Sequence, residues 1–96
     1  MKPTVKGFVA FVKREAKKDP KREIDHYSTA TCAIGEYAKY CGINPNSDYE
    51  VELLLAKEAP EISVSLCHTS TEEIKKRFPT YGKLNKWLGT LKLIQE

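Results

Sequence analysis

Residues 49–66 read Tyr49-Glu50-Val51-Glu52-Leu53-Leu54-Leu55-Ala56-Lys57-Glu58-Ala59-Pro60-Glu61-Ile62-Ser63-Val64-Ser65-Leu66, and how this stretch folds decides the fold class. Ser47 followed by Glu50 matches a capping box and favours a helix through about Lys57. Tyr49, Val51, Leu53 and Leu55 nevertheless alternate as one face of a strand would. After Pro60, Ile62-Ser63-Val64-Ser65-Leu66 alternates again with β-branched residues at two positions, which reads as a short strand. A lone strand needs a partner, and residues 49–55 are the main candidate. The expectation is an α-rich α+β domain: about four helices with a short strand or hairpin on one core.

The flanking segments read as helices. Val5, Phe8, Val9, Val12 and Ala16 recur at amphipathic-helix spacing within residues 3–18. Asp19-Pro20 should stop that helix, because the residue before proline is pushed out of the α region. A polar connection from Lys21 to Tyr27 follows. Ser28, Thr29 or Thr31 caps a second helix running to about Cys41. Gly42 suits a left-handed C-terminal position, with Ile43 folding back on Ala38. Thr69 with Glu72 forms a second capping box for a helix through Arg77, which Pro79 stops. Thr80 caps a last helix with Leu84, Trp87, Leu88 and Leu91 on its apolar face, and Gly89 ends it before Ile94. The expected shared core is Phe8, Val12, Tyr37, Leu54, Leu84, Trp87 and Leu88.

Composition narrows the class of protein. Ninety-six residues with 41% apolar side chains suit one folded domain. No stretch approaches the roughly 20 apolar residues of a membrane span, and the start lacks the apolar core of a secretory signal, so the cytoplasm is the expected location. Cys32, Cys41 and Cys67 are odd in number and lack paired spacing, which predicts reduced thiols rather than disulfides. Charge is segregated: residues 1–22 carry +6, residues 23–62 carry −6 and residues 63–96 carry +3. Acidic and basic surfaces are therefore expected in different places.

Four chemistries fit parts of this chain. Cys32 falls at the predicted start of the second helix, where the dipole and free amides favour a thiolate, and His68 follows the predicted strand. Cys32-Ala33 to Gly42-Ile43, followed by that histidine, resembles the nucleophile helix of papain-like amidases and cell-wall endopeptidases. The resemblance implies a cysteine hydrolase with Cys32 as nucleophile and His68 as base, yet no third member to orient the base is found. His26, Cys32, Cys41, Cys67 and His68 offer soft ligands but no Cys-x-x-Cys or His-x-x-x-His spacing, so neither metal nor cofactor is expected. A helix-turn-helix around Ala38, Gly42 and Ile43 would place Asp48, Glu50 and Glu52 against phosphates, which repels nucleic acid. A nucleic-acid module would instead use the basic cluster Lys13, Arg14, Lys17, Lys18, Lys21 and Arg22, with Lys75, Lys76, Arg77, Lys83 and Lys86 recurring later.

The fourth chemistry is a protein interface. Asp48, Tyr49, Glu50, Glu52 and Tyr40 form an acidic, tyrosine-bearing middle segment that would meet a basic partner. Thr31-Cys32-Ala33-Ile34 with Tyr37 and Tyr40, and Thr80-Tyr81-Gly82-Lys83-Leu84, resemble a pattern in small bacteriophage and prophage proteins. That resemblance implies a non-enzymatic protein that binds and modulates or inhibits a host protein or nucleoprotein in the bacterial cytoplasm, defence and CRISPR complexes included. This is the leading expectation. The nucleic-acid module and the hydrolase stand behind it.

Overall fold

In a computed structural model, residues 2–91 are described, and they form six helices: α1 (Val5–Lys18), α2 (Ala33–Tyr40), α3 (Glu50–Glu58), α4 (Pro60–Cys67), α5 (Thr71–Arg77) and α6 (Tyr81–Leu88). No sheet occurs among the described residues; the only strand-like pairing there is an isolated antiparallel bridge between Glu23 and Thr80. The α+β expectation is thus corrected to an all-helical fold. The alternation over 62–66 spans only five residues, too short to separate strand from buried helix. Pro60 occupies the first turn of α4, where its missing N–H costs nothing and its fixed φ is already helical. Helix formation satisfies the segment's backbone internally, whereas a strand here would have no ladder.

Burial shows the same switch side chain by side chain. On a strand Ile62, Val64 and Leu66 would share a face. In α4, Ile62 is fully buried beside Ser63 and Ser65, and Val64 turns out to solvent. Helix α4 packs against α3, from which the single residue Ala59 separates it, and the small side chains of Ser63 and Ser65 are buried. In α3 the buried residues are Val51 and Leu55, four apart, so Leu54 is half-buried rather than part of the deep core.

The main scaffold is α1 packed on α6, with α2 bridging α1 and α3. Thr4 caps α1 by accepting from the Gly7 amide at 2.8 Å. The Tyr37 hydroxyl clasps the same turn, accepting from Thr4 N at 3.1 Å and donating to Thr4 O at 3.3 Å. Helix α1 ends at Lys18, before Asp19-Pro20. Helix α2 closes as a Schellman motif: Gly42 has φ +82°, and the amides of Gly42 and Ile43 donate to Lys39 and Ala38 carbonyls at 3.0 and 2.9 Å. Thr80 caps α6 through Lys83 N at 3.3 Å, and α6 ends at Gly89. Ile94 lies outside the described residues.

Three caps differ from the sequence expectation. Cys32 itself, not Ser28, Thr29 or Thr31, is the α2 N-cap. Tyr49 precedes α3 without a side-chain cap, while Asp48 accepts from Glu50 N at 3.0 Å. Ser70 rather than Thr69 caps α5 by accepting from Glu73 N at 3.3 Å. The polar connection 19–32 is stitched down: Ile24 is buried, its amide donates to Pro79 O at 3.0 Å, and Tyr81 N donates to Arg22 O at 3.0 Å. Phe8, Val12, Tyr37, Leu84 and Leu88 join the core as expected, whereas Trp87 packs on its edge and is only partly buried.

Candidate binding cleft and the charged faces around it

A cleft of about 430 Å³ lies among α3, α4 and α5 and is lined from the connection before α2 by residues 26–29 and Cys32. It collects the chemistry-bearing side chains named from the sequence: His26, Cys32, Glu52, Cys67 and His68 all line it. Cys41 is buried elsewhere in the core, so the soft ligands do not gather as one set. Among the described residues no three His, Cys, Asp or Glu side chains converge to hold a metal ion.

The two thiols of the cleft are held protonated. The N-cap sulfur of Cys32 accepts from Gly35 N at 3.4 Å, and its S–H is directed at Thr29 O at 3.8 Å. Burial raises the Cys32 pKa, outweighing the backbone amides that lower it. Burial, with the Glu52 carboxylate and Cys32 adding to it, pushes the Cys67 thiol up to about 12. His26 donates Nε2–H to Phe78 O at 2.7 Å, which ties its ring to the α5–α6 turn. His68 is exposed at the end of α4. Among the described residues no hydrogen bond joins Cys32 to either histidine. A cysteine nucleophile needs a depressed pKa and a base within reach, and this arrangement provides the opposite pKa direction.

Two results are expected from this. Iodoacetamide near pH 7 should label Cys32 and Cys67 more slowly than a free thiol, because the reactive species is the thiolate. Rapid labelling would contradict the buried, protonated geometry. The unfolded chain loses the Cys67 proton near its ordinary value of 9.0, while the folded chain holds it to about 12, so this group destabilises the fold as pH climbs through that window. Cys67→Ala should therefore flatten the alkaline fall in stability, measured as denaturation midpoint between pH 8 and 10.5; an unchanged slope would refute it.

The faces around the cleft differ in charge. Residues 48–61 hold five carboxylates and one lysine. Apolar side chains stand out of this acidic ground: Leu53 is 70% exposed and Tyr49 50%, and Val64 on α4 is 56% exposed. Tyr27, 60% exposed on the opposite rim, donates to Glu72 and lies under Lys75. Asp48, Tyr49, Glu50 and Glu52 thus sit together at the start of α3. Tyr40 does not join them: its ring packs on Phe11 at 5.4 Å, with the Arg14 guanidinium 4.4 Å above it.

Three of the six cations in the basic cluster at the end of α1 make ion pairs among the described residues. Glu15, only 8% exposed, pairs with Arg22, Lys18 and Arg14, and Arg22 also reaches Glu36 at 4.0 Å and lies over the Tyr81 ring. Of this cluster, Lys13, Lys17 and Lys21 stand exposed with no ion pair to the described residues. The i,i+3 pairs Glu15–Lys18 and Glu36–Lys39 are legible as spacing, but the burial of Glu15 and the approach of Arg22 to both carboxylates depend on how residues 19–32 fold back. No protein-family model, curated protein or solved structure matches the chain significantly. No helix among the described residues is long and apolar enough to cross a membrane.

Proposed function

We propose that this chain is a non-enzymatic binding protein that docks through the α3 face onto a basic surface of a host protein or nucleoprotein, and so modulates or inhibits it. The observation that carries this reading is Leu53, a leucine 70% exposed amid Asp48, Glu50 and Glu52 with Tyr49 beside them. Apolar and aromatic anchors inside a polar rim are the anatomy of a protein interface. Carboxylates around the anchor steer a cationic partner and set its orientation more than they add affinity. The resemblance to small phage proteins favours a bacterial partner, such as a component of a defence complex.

Two competing readings have less support. The α1 cluster offered for nucleic acid has Arg14, Lys18 and Arg22 committed to Glu15. The hydrolase reading requires an activated Cys32, whose thiol burial makes less acidic. The docking reading is tested by retention of a partner from nuclease-treated bacterial lysate on immobilised protein. Leu53→Asp and Glu50→Lys should each remove the retained species while leaving the melting temperature within a few degrees. Retention that survives both variants refutes the α3 face as the docking surface.

A further inference from the structure

The last two helices build a second surface, opposite in character to the α3 face. Lys83, Lys86 and Trp87 fall at i, i+3 and i+4 on one face of α6, and Thr90 follows in the turn after it. The buried apolar stripe of α6 is Tyr81, Leu84 and Leu88, on another side of the helix. The Lys83 face with Thr90 lines an open groove of about 320 Å³ together with Arg77 and Phe78, and among the described residues no carboxylate lines it. Trp87 rests against buried Phe78, with ring centroids 4.8 Å apart. The Arg77 guanidinium lies 4.9 Å over Phe78 and 5.7 Å from the Trp87 ring, so a planar cation flanks the indole. None of Arg77, Lys83 and Lys86 has an ion pair among the described residues.

We infer that this groove binds single-stranded nucleic acid, with a base stacked at Trp87 and Arg77 and the flanking phosphates on Lys83 and Lys86. An indole edged by cations offers what an unstacked base and its backbone need together: a π-face and positive charge. Duplex is disfavoured because its bases are already stacked and leave nothing for the indole to receive. The inference is independent of the α3 docking face, since the groove belongs to α5 and α6 and carries the opposite charge. It also makes a nucleoprotein a fitting partner, with a basic protein surface meeting α3 and an exposed strand meeting α6.

Trp87 is the sole tryptophan of the chain, so its emission reports on the groove directly. Titration with a thymidine 12-mer near 20 mM salt should quench it. Three cations on a single strand predict a slope of log affinity against log salt of about −2, so affinity should fall about 16-fold between roughly 50 and 200 mM salt. The double variant K83E/K86E, at two exposed positions, should weaken binding at least tenfold with an unchanged melting temperature. By fluorescence anisotropy of a labelled strand, Trp87→Phe should bind more weakly than wild type, and K13E/K17E should bind as wild type does. Four outcomes would overturn the inference: no quenching by the strand, equal binding of a 12-base-pair duplex, equal binding of thymidine monophosphate, or loss of binding in K13E/K17E instead of K83E/K86E.

Discussion

Gly35→Ala is expected to destabilise the fold by about 3 kcal/mol or more, at the upper end of what overpacking costs and a large part of the total stability of a small domain. A Cβ built at Gly35 would stand 1.9 Å from the Thr29 carbonyl oxygen and 2.8 Å from its carbon. Both are backbone atoms, so no side-chain rotation relieves the clash. The turn they belong to is tightly bonded: Thr31 N and Cys32 N both donate to Ser28 O, at 3.2 and 3.0 Å, and Ala30 N donates to Ser28 Oγ at 3.2 Å. Either this turn shifts, opening the cleft wall formed by Thr29 and Cys32, or α2 retreats from its cap.

Gly42 provides the comparison. It is the only described glycine with positive φ, at +82°, and nothing lies within 4 Å of a Cβ built there. Gly42→Ala therefore costs only the left-handed backbone penalty, about 1–2 kcal/mol. Urea midpoints of the two variants check the ranking. A smaller loss at Gly35 than at Gly42 would mean that the 28–31 turn is not seated as described.

What was legible in the sequence follows the range of the interactions involved. The limits of α1, the Gly42 turn and the Thr80 cap depend on neighbours within four or five residues, and all are written plainly in the chain. The helical state of residues 60–67 depends on α3 packing beside them, which a five-residue alternation cannot encode. The same holds for the candidate sites. The acidic start of α3 is contiguous and was visible. The cleft, which brings Cys32 to Cys67 and His26 to Phe78, exists only once residues 19–32 have folded back on the α5–α6 turn. The basic residues of α1 were visible, but the burial of Glu15, which engages Arg14 and Lys18, was not. On α6 the stripe Lys83, Lys86, Trp87 could be read, yet a tryptophan at helical spacing is more often core, and only its partial exposure beside unpaired cations marks a groove.

The three consecutive leucines of α3 give the sharpest test of the corrected fold, because strand and helix assign them opposite fates. On a strand, Val51, Leu53 and Leu55 would point the same way and Leu54 the other. On the helix, Val51 and Leu55 are 2% and 0% exposed, Leu54 is half-buried, and Leu53 faces solvent. Leu55→Ala should accordingly cost about 2–5 kcal/mol, since it opens a void among close-packed residues of the core. Leu53→Ser should change stability by no more than about 0.5 kcal/mol, the usual range for a surface substitution. Guanidinium denaturation of the two variants measures the difference. Comparable losses at Leu53 and Leu55 would restore the strand reading. A neutral Leu53→Ser would show in addition that this leucine contributes nothing to folding, so the variant can be carried into the docking test without a change in stability to confuse it.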